Sequence, residues 1–454
     1  MLRESDPKFQ GLCAQVVGDM ERLHVPGAVV GVLFEGVEKV QGFGVTSVDH
    51  PLPVDATTLF QIGSITKTFV GTLIMRLVEQ GKVELDAPLR TYLPALRLMD
   101  DSVAKRVTLR HLLTHTGGWV GDYFDDCGIG EDALAQIVAR MADLPQLTPL
   151  GEVWSYNNAG FYLAGRVIEA ITDKPFETAM QEMILDPLGM KQSFFFAHDV
   201  ITHRFAVGHI VKEEKPEVAT PWAIGRAAHP AGGLICTAGD LFRYARFHMG
   251  NGTAEDGTRL LTPESLAQMR VPQFEAGGGR EIGLTWFITG DMEVCIIGHG
   301  GGTNGQITQF VVVPERGFAL VALTNTNRGS ELCAAAVKTA LQSYLDLSEP
   351  EATPLESTVE ELAPYVGVYD SRLTKLELSL LEGVLMAQAT PKGGFPKPDS
   401  PAPPAPPPGR VALYAPDRAI ALDPPFTGAR IEFLRDPNGA LTWLRVSGRI
   451  HRKL

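Results

Sequence analysis

Positive charge is what this 454-residue chain most plainly lacks: 40 Lys and Arg against 53 Asp and Glu leave a net charge of −13. Nucleic-acid binding needs clustered basic side chains on the phosphates, and the terminal His451-Arg452-Lys453 is too short a run to supply them. Apolar runs are short too. None approaches the ~20 residues of a membrane-spanning helix, and Met1-Leu2-Arg3-Glu4-Ser5-Asp6 lacks the hydrophobic region of a signal peptide. No membrane partner is expected and the chain reads as cytoplasmic, although a secreted or periplasmic protein that has lost its leader would read the same. Five cysteines, Cys13, Cys127, Cys236, Cys295 and Cys333, are odd in number and free of CxxC spacing, which argues against a disulfide framework and a zinc site. His111 and His115 stand four apart without a third ligand and read as capping or core residues. No metal and no cofactor is expected. Gly-x-Ser-x-Gly is also missing, which disfavours an α/β-hydrolase.

What is there begins with Ser64-Ile65-Thr66-Lys67, placed where the turn Gln61-Ile62-Gly63 runs into an apolar-periodic segment. Phe69, Leu73 and Leu77 recur beside Val70, Ile74 and Val78, and Gly81 ends the run, as in a mostly buried helix. Serine and lysine three apart share one face of its first turn, a nucleophile beside its base; an N-cap serine is the plain alternative. A second copy, Ser102-Val103-Ala104-Lys105, lies in a charged stretch and reads as a solvated loop.

Two further groups follow. Tyr156-Asn157-Asn158 precedes the apolar Phe161-Tyr162-Leu163-Ala164; in an extended loop, residues two apart face the same way, so Tyr156 and Asn158 enter one cleft. A phenol beside a lysine ammonium has its pKa lowered towards that of a useful base, and a carboxamide both donates and accepts. Gly298-His299-Gly300-Gly301-Gly302-Thr303 lies between an apolar strand at Val294 to Ile297 and another at Gln306 to Val313. Glycines on a strand edge admit close approach by an extended substrate.

Ser-x-x-Lys, Tyr-x-Asn and His-x-Gly in this order resemble the serine β-lactamase and penicillin-binding-protein superfamily. Within it, the chain is most similar to the branch of class C β-lactamases, D-aminopeptidases, family VIII esterases and penicillin-binding-like peptidases. Val107 to Gly118 and Ala231 to Leu241 fit the same branch, and the likeness spans roughly residues 9 to 346. It implies Ser64 as nucleophile, with Lys67 and Tyr156 moving protons. It further implies that Asn158 orients substrate and Lys67, that the backbone N–H groups of Ser64 and Gly302, beside Gly301, form the oxyanion hole, and that His299 binds the substrate's far end. The β-lactamases carry Lys-Thr-Gly where this chain has His299, as the D-aminopeptidases do. A permanent cation is thereby exchanged for a group half charged near pH ~6.5, which argues against efficient β-lactam hydrolysis.

Strands from both chain ends (Ala28 to Phe34, about Val40 to Val45, Gly283 to Thr289, Glu293 to Ile297, Gln306 to Val313, Phe318 to Leu323) enclose a mostly helical middle, and a helix runs from Glu331 to Leu345. The order predicts an α/β sandwich with an antiparallel sheet plus a helical domain over 1–346. Residues 347–357 read as a linker. Over 358–454 the period changes to two, with Leu376, Leu378 and Leu380 alternating with polar residues and a turn at Asp436-Pro437-Asn438-Gly439. This predicts a small antiparallel all-β domain. Tyr365-Val366-Gly367-Val368-Tyr369 resembles the start of the lipocalin-like domains appended to some penicillin-binding-like peptidases. Pro396 to Pro408 must be an unpaired loop, read as solvated, while the domain as a whole is expected to border the active site and restrict substrate size. Three functions stay open: a peptidase or amidase acting on small peptides, including those with D-residues; a family VIII type carboxylesterase with weak β-lactamase activity; and a penicillin-binding sensor without turnover. The partner is a small molecule or short peptide, and the sequence leaves a homo-oligomer open.

Overall fold

The computed structural model describes residues 6–222, 224–290, 294–348 and 352–454. The readings at Met1 to Ser5, at Glu293 and over 349–351 of the linker lie outside them.

Alternation and β-branching at both chain ends produce one antiparallel sheet of eight strands. From edge to edge it runs Val37–Gly44, Gly27–Phe34, Phe318–Thr324, Gln306–Val313, Cys295–Thr303, Phe287–Gly290, Arg280–Ile282 and Phe274–Gly277. The central strand Phe318–Thr324 is buried along its whole length, so it reads as a continuous apolar run. Helices Pro7–Leu23 and Gly329–Leu345 cover one face, packing Leu12 and Val16 with Leu332, Ala336 and Ala340. Helix Thr66–Glu79 and the helical region lie against the other face in a large core that includes Phe69, Tyr244 and Trp286.

Three local expectations are corrected. Ser102 to Lys105 belongs to a short helix, Asp101–Arg106, capped by Asp100, with Val103 and Ala104 buried and Ser102 exposed. The charged residues concealed a two-residue apolar face. The segment Gly283 to Thr289 is divided: strands Arg280–Ile282 and Phe287–Gly290 pair across the turn that contains Gly283 to Trp286. The strand before the glycine run does not stop at Ile297 but continues to Thr303, paired with Gln306–Val313 at every residue from Ile297 on. Backbone pairing needs no side chains, so the glycines propagate the ladder while leaving its surface bare.

The C-terminal residues form a closed eight-stranded antiparallel barrel, from Gly367–Asp370 to Arg449–Lys453. Its core holds Tyr369, Leu385, Leu444 and Phe433. Pro396 to Pro408 falls in the unpaired connection between strands Val384–Pro391 and Gly409–Ala415. The barrel docks through a buried ion pair, Arg445 with Glu432, whose side chains are 8% and 6% exposed. Arg445 donates to the Trp154 carbonyl at 3.2 Å, and Glu432 accepts from the Gly278 N–H at 3.0 Å. Removing one partner of such a pair strands the other charge. Glu432→Ala is expected to lower stability by about 3 to 5 kcal/mol in urea unfolding, and Glu432→Ala with Arg445→Met to recover most of that loss.

Candidate active site

Ser64 sits in a single 3-10 turn, Gly63–Ile65, that feeds the helix Thr66–Glu79. Gly63 takes φ +54°, and a Cβ there would lie 2.6 Å from the Gly302 nitrogen, so only glycine lets the turn meet the end of the glycine strand. Gly301 is equally confined, since a Cβ would fall 1.8 Å from the Ile62 carbonyl oxygen. The backbone around Ser64 and Gly302 therefore converges on one point.

Lys67 is fully buried. Its Nζ lies 3.1 Å from Ser64 Oγ and 2.8 Å from Asn158 Oδ1, and it also reaches the Ala231 carbonyl. Two of these neighbours can only accept. A neutral amine satisfies the set: two N–H bonds go to the carbonyls, and the lone pair faces the serine hydroxyl. Burial pushes the Lys67 pKa well below its ordinary value, the charge of Arg449 adds to that, and Asp122 opposes it. Asn158 is turned the right way by Asp122, whose Oδ1 accepts from its Nδ2 at 2.9 Å.

Tyr156 is 7% exposed, and its hydroxyl has no hydrogen-bond partner among the described residues, although Ser64 lies near enough to favour its anion. Lys67 Nζ is 5.0 Å from the ring centroid. The expectation of a lowered phenol pKa is overturned: burial raises it, while burial pushes the pKa of the lysine beside it down. His115 stacks on the same ring at 4.4 Å and accepts from the Asn157 N–H through Nδ1 at 2.9 Å. It is a core residue, as the sequence implied, but one that fixes the Tyr156 ring.

His299 is also corrected. It is 2% exposed, and burial pushes its pKa down to about 3, so it is neutral where half charge was expected. Its Nδ1 lies 2.6 Å from the Gly300 carbonyl. A carbonyl only accepts, which assigns the proton to Nδ1 and leaves Nε2, buried without a partner among the described residues, as an acceptor.

The sequence reading missed Arg449. Strands Leu441–Val446 and Arg449–Lys453 are joined by Ser447 and Gly448, both at positive φ (49° and 76°), the form of a two-residue hairpin turn. The turn enters the cleft. The Gly448 carbonyl accepts from the Tyr156 N–H at 2.8 Å, and a Cβ on Gly448 would lie 2.9 Å from the Trp154 ring. Arg449 places its guanidinium 4.6 Å from the Tyr156 ring centroid and pairs with Asp122 at 3.1 Å. Ser447-Gly448 could have been read as a turn, but nothing in the sequence says where it docks. The loop singled out instead reaches only the mouth of the cleft, where Phe395 packs on Phe124 at 4.9 Å and Lys397 pairs with Asp126 at 3.0 Å.

Ser64, Tyr156, Asn158, His299, Gly302 and Arg449 line one cavity that reaches the barrel and extends on to Cys333, Val337 and Leu341 of the helix Gly329–Leu345, about 1420 Å³ in all. Among the described residues there is no cluster of three His, Cys, Asp or Glu able to hold a metal ion. No helix among them is long and apolar enough to cross a membrane.

Penicillin-binding protein 4 of Amycolatopsis lactamdurans is 33% identical over 359 residues, 76% of this chain and 93% of that protein. The crystal structure of SurE with D-Leu matches 98% of this chain and 99% of its own at a TM-score of 0.75 and 26% identity, so the likeness includes the barrel. A class C β-lactamase structure from Rhodobacter sphaeroides matches 73% of this chain and 99% of its own, with a TM-score of 0.62 and 26% identity. The Beta-lactamase family matches residues 14–343, nearly the whole domain that carries Ser64, Lys67, Tyr156 and His299, and the chain belongs to this family of serine hydrolases.

Proposed function

We propose that the chain is an acyl-transfer hydrolase of small peptides, cleaving an amide next to a D-residue through an acyl-enzyme on Ser64. The observation that carries this reading is the Lys67 amine, with two carbonyls taking its protons and its remaining face 3.1 Å from Ser64 Oγ. Lys67 takes the Ser64 proton as Oγ attacks the substrate carbonyl. The oxyanion forms against the N–H groups of Ser64 and Gly302; a single donor of this kind is worth about 2.7 to 4 kcal/mol of barrier. Collapse breaks the amide C–N bond. The Tyr156 phenol hands its proton to the leaving amine and is reprotonated from Lys67. Water then attacks the acyl-enzyme, Lys67 takes its proton, and the acid leaves as Ser64 Oγ is reprotonated.

The polar groups that line the cleft favour a peptide. The neutral His299 offers Nε2 as an acceptor for a substrate N–H rather than a cation for a carboxylate. Arg280 lines the same cavity and provides a positive side chain for a free carboxylate. The match of SurE with D-Leu across both domains supports a D-residue.

Ser64→Ala should abolish hydrolysis of every substrate with little change in melting temperature, while Ser102→Ala, on the exposed face of its short helix, should change nothing. An active Ser64→Ala protein or an inactive Ser102→Ala one overturns the nucleophile. Substrate class is tested by rates on D-alanine p-nitroanilide, p-nitrophenyl acetate and nitrocefin: turnover of the first with little of the third is expected, ester turnover alone favours a carboxylesterase, and a single unreleased acylation favours a sensor.

A histidine at about 3 gains its proton only well below neutrality, so His299 contributes no charge change between pH 5 and 8. The ratio of kcat/KM for a carboxylate-bearing peptide to that for its neutral amide should therefore stay constant over this range. A ratio that falls as pH rises through about 6.5 would return His299 to carboxylate recognition.

A further inference from the structure

The lysine of Lys-Thr-Gly gives the β-lactamases a permanent cation across the cleft from the nucleophile. Here His299 holds that position and is neutral. The groups facing Lys67 come from five directions. The loop and helix around 156–161 bring Tyr156, Asn158 and the Phe161 ring, 5.1 Å from Nζ. The segment 114–122 brings His115 and Asp122, the glycine strand brings His299, the helix His229–Gly232 brings the Ala231 carbonyl, and the barrel brings Arg449. His115 and His299 are both held neutral by burial. The ion pair among these groups is Asp122 with Arg449, and its two halves belong to different domains.

We propose that the barrel supplies, through Arg449, the positive charge that the third motif lacks, and that Arg449 is a positioning residue that keeps Lys67 a free amine and Tyr156 in place. The inference rests on Lys67 as the base. Three contacts fix the geometry: the Gly448 carbonyl holds the Tyr156 backbone, the guanidinium lies on the Tyr156 ring, and Asp122 ties Arg449 to Asn158 and so to Lys67 Nζ. Asp122 serves both partners. One carboxylate oxygen orients the Asn158 amide, while the pair keeps Arg449 from swinging into solvent, to which its side chain is 37% exposed. The effect of each charge on Lys67 has its own sign: Arg449 disfavours the ammonium and Asp122 favours it. The two halves of one ion pair are therefore expected to move the same titration in opposite directions, which loss of structure would not do.

The test is the pH profile of kcat/KM for p-nitrophenyl acetate with the full chain. This ester is neutral, so carboxylate binding contributes nothing. The acid limb reports loss of the free amine in the unliganded enzyme. Arg449→Gln should move that limb to higher pH by about one unit, a roughly tenfold loss of rate on the limb, with a smaller loss on the alkaline plateau. Arg449→Lys should return the limb to its wild-type position. Asp122→Asn keeps an oxygen to accept from Asn158 and should move the limb to lower pH. Melting temperatures of the three variants identify any that fail to fold, and Arg449→Lys and Asp122→Asn still decide the matter if Arg449→Gln does. An unmoved limb, or shifts in the same direction for Arg449→Gln and Asp122→Asn, overturns the proposal. So does a rise in KM confined to carboxylate-bearing peptides, which would make Arg449 a substrate anchor. If Lys67→Ala retains the wild-type acid limb, what fails is the assignment of the base.

Discussion

A lysine amine with no exposure to solvent, at the start of a buried helix, is the constraint around which this molecule is arranged. Burying an ammonium is expensive unless it is paired, and among the described residues the groups that touch Nζ are a hydroxyl, a carboxamide oxygen and a backbone carbonyl, with no carboxylate. The fold meets the cost by pushing the pKa of the amine down, which favours the form that accepts a proton from serine. Each contact comes from a separate part of the chain: Ser64 from the preceding turn, Asn158 from the first turn of helix Asn158–Thr172, Ala231 from the short helix His229–Gly232. The helical region thus positions the acceptors that define the direction of the lone pair.

The same economy governs the rings above it. Tyr156 has His115 stacked on its ring at 4.4 Å, the Arg449 guanidinium 4.6 Å from the ring centroid and Phe287 stacked further out at 6.4 Å. A buried phenol whose pKa is raised carries its proton at neutral pH and can donate it. Lysine lowered and tyrosine raised is a division of labour set by environment: two groups with nearly equal ordinary pKa values become a base and an acid a few ångströms apart.

The barrel is part of this arrangement rather than a separate appendage. A hairpin turn that needs glycine at Gly448, both for its positive φ and for its approach to Trp154, carries the backbone to Tyr156 and a guanidinium to Asp122. The buried Arg445–Glu432 pair fixes that hairpin against residues 154 and 278. A family that elsewhere writes a lysine into its third motif here has a neutral histidine there and a charge from another domain.

Local sequence determined a good deal. The position of Ser64 and Lys67 at the head of an apolar helix, most strands of the sheet built from both ends, and the change to period two after residue 357 are all set by spacings within a few residues, because helix and strand periodicity are local properties. So was the order of motifs that identifies the family. What the sequence left undecided depends on contacts between distant segments. The protonation of Tyr156 and His299 follows from burial, which no residue type announces. The strand through Gly298 to Gly302 is held by a partner strand rather than by its own propensity, and Ser102 to Lys105 is helical because two small apolar residues find a core. Arg449 lies 327 residues from the Asp122 it pairs with, and only the docking of one domain on the other, a tertiary event with no signature in the hairpin itself, brings the two together.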